Sequence, residues 1–571
     1  MGVPPYTVTS EDRANTAARR IAVATLLTLL GPAVLWLTYH ARFQGLTLAE
    51  AMDYGQLARN IANGRGFVTS VVSPLGTNFS PDLTNHTDLT HAPLFPIISA
   101  AMFGAFGAKD SVLALTSAVF YLLTIPLVYL LALRLFGRRT AFLSALLYIV
   151  GERMLQYALS GTPITLAGFL LTAAALALHR GYAADADPEA RGSGLKASAL
   201  AGALIGLCYL TEYTFALCAL PIAVYLALSR SRRRTASVLV FAAVFMLIAG
   251  PWMLRNYRAT GYPVAGLRTY ELVMMTDAYP SYTVYRSTDA KPILELLSGN
   301  GTQVLRRSLA GLQAMYDQLP LLAGGWITAL FLAGLLHVFR RQGADGLRAA
   351  MISALLAVVL SSLMLNPKVD LLVPFVPFVT VLAAAFLMYL LNAMHLPSVA
   401  RAAVTTAVVL IAAFPTIVGI AIPAPTVRDV GMPMLMALRR QVPPNTVVVT
   451  DVPWAVAWYS HQPSVWLPKS EADFAKIDRL GRVSTIYLSS MLARYPQTEA
   501  VGDWLGLQRT AALQMLYQKR LPPRSRQTPV LAVNQVRFAA VGGQPEQGAV
   551  VLARTGPALA LRPGPPRQST R

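Results

Sequence analysis

Charge is scarce in this chain, and negative charge scarcest of all. Of 571 residues only 13% are Asp, Glu, Lys or Arg, with 27 acidic side chains against 48 basic ones. A water-soluble protein carries about 25% charged residues, so a soluble globule is excluded. Cysteine is almost missing, with Cys208 and Cys218 the only 2. Both sit inside apolar runs as small hydrophobes, which leaves no disulfide framework and no Cys/His metal motif. The sequence also lacks a Gly-x-Gly-x-x-Gly opening a soluble βαβ unit, and it lacks a P-loop, so no nucleotide site is visible. Two matching hydropathy halves, a mark of many transporters, are missing as well.

What is abundant is apolar. The chain is 55% hydrophobic with a mean hydropathy of +0.49, which implies a mainly α polytopic membrane protein. The first apolar run, Ile21 to Tyr39, follows Arg19 and Arg20 and has no small-residue cleavage site, so it reads as a retained anchor. Ten more spans are expected at about 111–133, 139–158, 162–179, 196–211, 213–229, 235–254, 321–339, 349–366, 371–391 and 402–422, making about eleven. Arg134, Arg138, Arg139, Arg180, Arg233, Arg234, Arg348 and Arg401 cluster in alternate short loops. The positive-inside rule then gives a cytoplasmic N-terminus over 1–20, a membrane domain over 21–422, and outer loops at 40–110 and 255–320.

Residues 423–555 change character and are expected to form an outer-face α/β domain. Strands are expected at 446–450, 483–488, 529–533 and 550–553, helices at 471–480 and 502–517, and a disordered tail from 556 to 571. Part of the net charge of +21 falls here, at Arg439, Arg440, Lys476, Arg479 and Arg482. Such a face is a solvated surface in the simplest reading, or one that meets anionic membrane lipids. Nucleic acid is not a partner for a domain outside the cytoplasm.

Against this scarcity, the acids after the first span stand out. Glu50 and Asp53 are three residues apart on a helical stretch that continues through Tyr54 to Arg59 and Asn60 and ends at Gly64-Arg65-Gly66-Phe67. Spacing of three puts both carboxylates on one face, and carboxylates at membrane depth are costly to keep without a use. Downstream come Thr90-His91-Ala92-Pro93-Leu94-Phe95-Pro96, Leu210-Thr211-Glu212-Tyr213, Pro251-Trp252-Met253-Leu254-Arg255-Asn256-Tyr257 and Val373-Pro374-Phe375-Val376-Pro377.

In this order and spacing, over roughly residues 20–392, these segments resemble the bacterial type C glycosyltransferases. That group contains the protein O-mannosyltransferases and the lipid A aminoarabinose transferases. The resemblance implies transfer of a sugar from a polyprenyl-phosphate carrier to a lipid, glycan or protein acceptor at the outer membrane face. It implies Asp53 or Glu50 as general base, with Asp53 slightly favoured, and Arg255 on the donor phosphate. Arg59, Arg65, His91 and Tyr54 are further substrate- or phosphate-binding candidates. Two positions depart from the family: Ser160-Gly161-Thr162-Pro163 lacks an acid, and Glu212 stands where relatives have arginine.

No cofactor is required by this chemistry. A divalent metal at Asp82, His86, Asp88 and His91 is the alternative to an ordinary polar loop, which the irregular spacing favours. Lys368 and Asp370 are expected to pair with each other at the end of a span. A lipid-linked polysaccharide ligase or polymerase, and a transporter or flippase, are the competing functional classes. The orientation has a direct test: a reporter active only outside the cytoplasm, fused after Gln441, is expected to be active, and activity of a cytoplasm-only reporter there overturns it.

Overall fold

The computed structural model describes residues 10–185, 193–229, 233–339, 343–422, 432–494, 502, 504, 530–533, 536–544 and 549–555. The expected helix at 502–517 and the tail from 556 lie outside the described residues. Eight helices among them are long and apolar enough to cross a membrane, or nine if one bent pair counts as a span. They match eight of the eleven expected spans. Val369–Ala393 and Ile164–Tyr182 are enclosed, 89% and 83% buried, whereas Ser398–Ala421 and Arg234–Thr260 are 17% and 22% buried and form the periphery.

The other three expected spans are interrupted, each at a residue that refuses to continue the helix. The run 139–158 breaks at Gly151, whose extended backbone separates Arg138–Val150 from Glu152–Ala158. The break sets two charges against partners: Glu152 meets Arg42 at 3.0 Å and Arg153 meets Asp370 at 2.6 Å. Asp370 therefore pairs with Arg153 and not with Lys368, contrary to expectation. The run 213–229 begins as a 3-10 turn, Tyr213–Cys218, after Glu212 takes extended backbone angles, and continues as a helix only over Ala219–Leu228. Around 321–339 only Gly325–Leu335 is helical, meeting Ile293–Leu321 at 109° across Gly324, whose φ of +91° suits glycine alone.

Among the described residues nine short strands complete the fold: β1 (Val68–Thr69), β2 (Val71–Val72), β3 (His86–Thr87), β4 (Val448–Thr450), β5 (Ser464–Trp466), β6 (Thr485–Ser489), β7 (Val530–Val533), β8 (Val536–Gln544) and β9 (Ala549–Thr555). β1 and β3 form a two-stranded ribbon in the loop that follows the first membrane helix. The other seven form one sheet in the order β2-β5-β4-β6-β9-β8-β7, parallel from β2 to β6 and antiparallel beyond. β4 and β6 are buried throughout, as β-branched strands covered on both faces should be. The C-terminal residues do not build this sheet alone, because β2 comes from the loop after the first membrane helix, pairing Val71 with Ser464 and Val72 with Val465.

Side chains reinforce that junction. Arg59 donates to the carbonyls of Trp458 at 2.8 Å and Ala457 at 2.6 Å, and its guanidinium lies 5.0 Å from the Trp458 ring. Gly55 lets the ring approach its helix, since a Cβ there would meet Trp458 at 3.1 Å. Asp110, at the start of the helix Asp110–Phe136, accepts from the Trp458 indole at 2.7 Å and the Tyr459 hydroxyl at 2.9 Å. Removing a partner from a buried donor costs about 1–3 kcal/mol. Asp110→Ala is therefore expected to lower the melting temperature of the purified protein, with Lys109→Ala as the silent control; equal melting of both variants would show that this contact holds nothing.

Candidate active site

The helix Ala49–Ala62 carries the two acids, and its termination by Gly64 and Gly66, at φ of +75° and +80°, turns the chain straight into β1. That turn matters because β1 holds the helix from below. Gln56 donates to Thr69 Oγ1 at 2.7 Å and accepts from the Ser70 amide at 2.7 Å, while Asn60 donates to the Val68 carbonyl at 2.9 Å. With its position set, Gln56 donates its other amide hydrogen to Asp53 Oδ1 at 2.9 Å. One oxygen of Asp53 is thus oriented by the fold. Glu50, one turn earlier, is open to the cavity.

The second oxygen of Asp53 faces His91. The His91 ring lies between two carboxylates, with Nε2 3.5 Å from Asp53 Oδ2 and Nδ1 2.8 Å from Asp88 Oδ2. Asp88 follows β3 directly and folds its own turn, accepting from the amides of Thr90 at 3.1 Å and His91 at 2.8 Å. The backbone of this turn is clamped: the Tyr213 hydroxyl donates to the His91 carbonyl at 2.7 Å, and Arg255 donates to the Asp88 carbonyl. Tyr54 closes the group, its buried ring 4.8 Å from that of His91.

Burial decides the proton affinities of the acids, and neighbours modify them. Desolvation raises Glu50 and Asp53 above ordinary carboxylates, with Lys368 opposing the rise at Glu50 and His91 opposing it at Asp53. At Asp88, burial is outweighed by His91 and Arg255 and by hydrogen bonds from His91, so its pKa falls. Burial alone would discharge His91, but Asp88 and Asp53 together lift it to about 9. His91 is therefore held as an imidazolium between the two carboxyl groups.

These groups open on a cavity of about 530 Å³ between the membrane helices, the loop segments 40–110 and 255–320, and the C-terminal sheet. Glu50, Asp53, Tyr54, Asp88 and His91 line it. The cations that line it differ from those expected. Arg268 bridges Glu212 at 2.5 Å and Glu271 at 3.2 Å, and those acids hold its pKa well above normal despite burial. Lys368 reaches the cavity beside the Tyr282 ring, 5.9 Å away, its affinity for a proton raised by Tyr282 and Glu50 against the effect of burial.

Arg59, Arg65 and Arg255 are not on the cavity lining. Arg59 serves the Trp458 junction, Arg65 donates to Asn60 at 3.2 Å and to the Thr84 carbonyl at 2.6 Å, and Arg255 lies between the rings of Trp252 and Phe67, 4.5 and 5.5 Å away. Sequence reading missed Arg268 and Lys368 as site residues. The available signal was Glu212: an acid where relatives carry arginine requires a cation from elsewhere, and Arg268 supplies it. Among the described residues no group of three or more His, Cys, Asp or Glu side chains is arranged to hold a metal ion.

The fold is shared with the oligosaccharyltransferase of Archaeoglobus fulgidus. The apo form of that protein aligns with 86% of this chain and 72% of its own, at 15% identity and a TM-score of 0.58. Its complex with an inhibitory peptide and a dolichol-phosphate aligns with 81% and 69%, at 14% identity and 0.52. ArnT of Cupriavidus metallidurans bound to undecaprenyl phosphate covers 95% of this chain and 99% of its own at 12% identity, but its TM-score of 0.45 is too loose to add to the fold. Comparison with curated proteins finds no match. At these identities the likeness is one of fold, a bundle of membrane helices joined to a small sheet. Residues 90–254 match the family described as dolichyl-phosphate-mannose-protein mannosyltransferase, in line with the resemblance carried by the sequence motifs.

The charge on His91 gives a pH test. A folded pKa of about 9 against 6.5 for a free imidazole means that protonation stabilises the fold fully below about 6.5. The contribution disappears as pH rises through about 9. Melting temperature should therefore fall between pH 6.5 and 9 more steeply in the native protein than in His91→Gln; parallel curves would show that His91 is not held charged.

Proposed function

We propose that the protein transfers a glycosyl residue from a polyprenyl-phosphate-linked sugar to an acceptor at the outer face of the membrane. The observation that carries this reading is one cavity lined by the carboxyls of Glu50, Asp53 and Asp88 together with the basic groups of His91, Arg268 and Lys368. The matched mannosyltransferase segment names a dolichyl-phosphate sugar, and the oligosaccharyltransferase of the same fold is described with dolichol-phosphate. A lipid phosphate enters such a cavity from the membrane side, so a soluble nucleotide site is unnecessary.

In this reading Asp53 is the general base. Its Oδ1 is fixed by Gln56, and its raised pKa brings it nearer to that of a useful proton acceptor. The acceptor hydroxyl gives its proton to Asp53 as its oxygen bonds the anomeric carbon. The bond from that carbon to the phosphate oxygen breaks, and its electron pair leaves with the lipid phosphate. Lys368 and Arg268 stabilise the negative charge that collects there. His91, charged and anchored by Asp88, keeps Asp53 ionised before the transfer. Arg255 acts behind this group by holding the Asp88 carbonyl. Glu50 balances Lys368 across the cavity.

The assay is transfer of radiolabel from polyprenyl-phosphate sugars to endogenous lipid, glycan or protein by the purified enzyme. Asp53→Asn is expected to cut turnover by roughly two to four orders of magnitude while binding of the lipid phosphate survives. Glu50→Gln should retain more activity than that. Near-normal turnover in both variants would remove the carboxylates from the mechanism.

A further inference from the structure

Beyond the acids and cations, the cavity has a third kind of wall. Trp454, Trp466, Tyr282 and Tyr285 line it together. Trp466 is the hub: its ring lies 6.3 Å from Tyr285 with planes 17° apart, 6.1 Å from Tyr282, and 5.8 Å from Trp454 at 84°. β5 supplies Trp466, the helical turn Pro453–Ala455 after β4 supplies Trp454, and the segment 255–320 supplies both tyrosines. Trp454 and Trp466 are only half-buried, unlike Trp458 and Trp504, at 4% and 0% exposure. Aromatic faces kept open to a cavity that also holds charged groups want a ligand that is apolar on its faces and polar at its rim.

The rim groups are present. Asp451 lines the same wall, its carboxylate oriented by the Ser489 amide at 2.8 Å and the Ser489 hydroxyl at 2.5 Å. Asn366 also lines it and points its amide at the Tyr282 hydroxyl, 3.4 Å away. On the other side Tyr282 adjoins Lys368, and Tyr285 donates to Glu271 at 2.9 Å, the acid that also holds Arg268. The aromatic wall therefore begins where the phosphate-holding cations end. A lipid tail would use the aromatic faces but strip water from Asp451 and Asn366 and offer them no hydrogen bond in return, which is costly. A pyranose ring uses both, with C–H groups on the tryptophan faces and hydroxyls to the carboxylate and amide.

We propose that Trp466, Trp454 and Tyr282, with Asp451 at their edge, form a saccharide-binding wall that holds a sugar ring beside the phosphate site. This rests on the glycosyl-transfer reading above and adds what the C-terminal domain contributes to it. The ring belongs either to the donor or to a glycan acceptor, and two arms of one experiment separate these sources.

In the donor arm, the full-length protein in detergent is titrated by tryptophan fluorescence with farnesyl phosphate and with farnesyl phosphate carrying mannose, glucose or N-acetylglucosamine. In the acceptor arm it is titrated with mannobiose, maltose and chitobiose. A donor ring on the wall predicts that one glycosylated probe binds roughly ten-fold tighter than bare farnesyl phosphate, and that Trp466→Ala removes this gain. Affinity for bare farnesyl phosphate should stay at the native value. An acceptor ring predicts that one disaccharide binds the native protein and not Trp466→Ala. Should that variant fail to fold, Tyr282→Leu, at the edge of the wall, is read in the same way. The proposal is overturned if no saccharide-bearing probe binds better than its sugar-free counterpart, or if the gain survives both substitutions. Failure of the donor reading has a separate signature: farnesyl phosphate then does not bind, or binds equally well to Lys368→Met, while the disaccharide arm still reports on the wall.

Discussion

The cavity exists because the loop after the first membrane helix and the C-terminal sheet are one structure. β2 joins the loop to the sheet through only two residue pairs, Val71 with Ser464 and Val72 with Val465. Two pairs alone are weak, and the polar clamp around Trp458 supplies the rest. Arg59 satisfies two carbonyls at the turn that precedes β5, and Asp110 ties that turn to a membrane helix. If this junction opened, Asp451, Trp454 and Trp466 would leave the cavity and Glu50 and Asp53 would face bulk water. The raised proton affinity of those acids, which comes from burial first, would go with it.

The site is also an exercise in balancing charge away from water. Isolated charges in such surroundings are costly, and a buried pair is kept only with good geometry and further hydrogen bonds. The cavity groups therefore come as linked sets: Asp53 with Gln56 and His91, His91 with Asp88, and Arg268 with Glu212 and Glu271. In the last set Glu212, at the break before Tyr213–Cys218, takes its cation from a distant segment, the 3-10 turn Gly266–Val273 that carries Arg268.

Much of the architecture was legible because hydropathy and basic-loop bias are local signals. Eight of the eleven expected spans are helices of membrane length. Two of the three failures have charged residues at the break whose partners lie far away in sequence: Glu152 and Arg153 pair with Arg42 and Asp370, and Glu212 with Arg268, while the third break falls at Gly324. A window average sees only apolar neighbours there and carries the helix through. The strands at 448–450, 485–489, 530–533 and 549–555 were likewise visible as β-branched runs, whereas β2 and β5 were not. At two and three residues they are too short to announce themselves and are defined by each other.

The sequence by itself determined that this is a membrane protein, where its main helices run, and that Glu50 and Asp53 share one helix face, by spacing alone. It also supplied the family resemblance from ordered motifs. Only the tertiary structure decided which charges meet. His91 and Asp88 became one unit with Asp53, Arg59 and Arg65 were taken up by backbone carbonyls, Arg255 was turned onto Asp88, and Arg268 and Lys368 were brought to the cavity instead. The physical reason is that a cation's role depends on the acceptor it finds within about 3 Å. In a fold that joins residues 59 and 458, 212 and 268, and 71 and 464, that acceptor is seldom a neighbour in the chain.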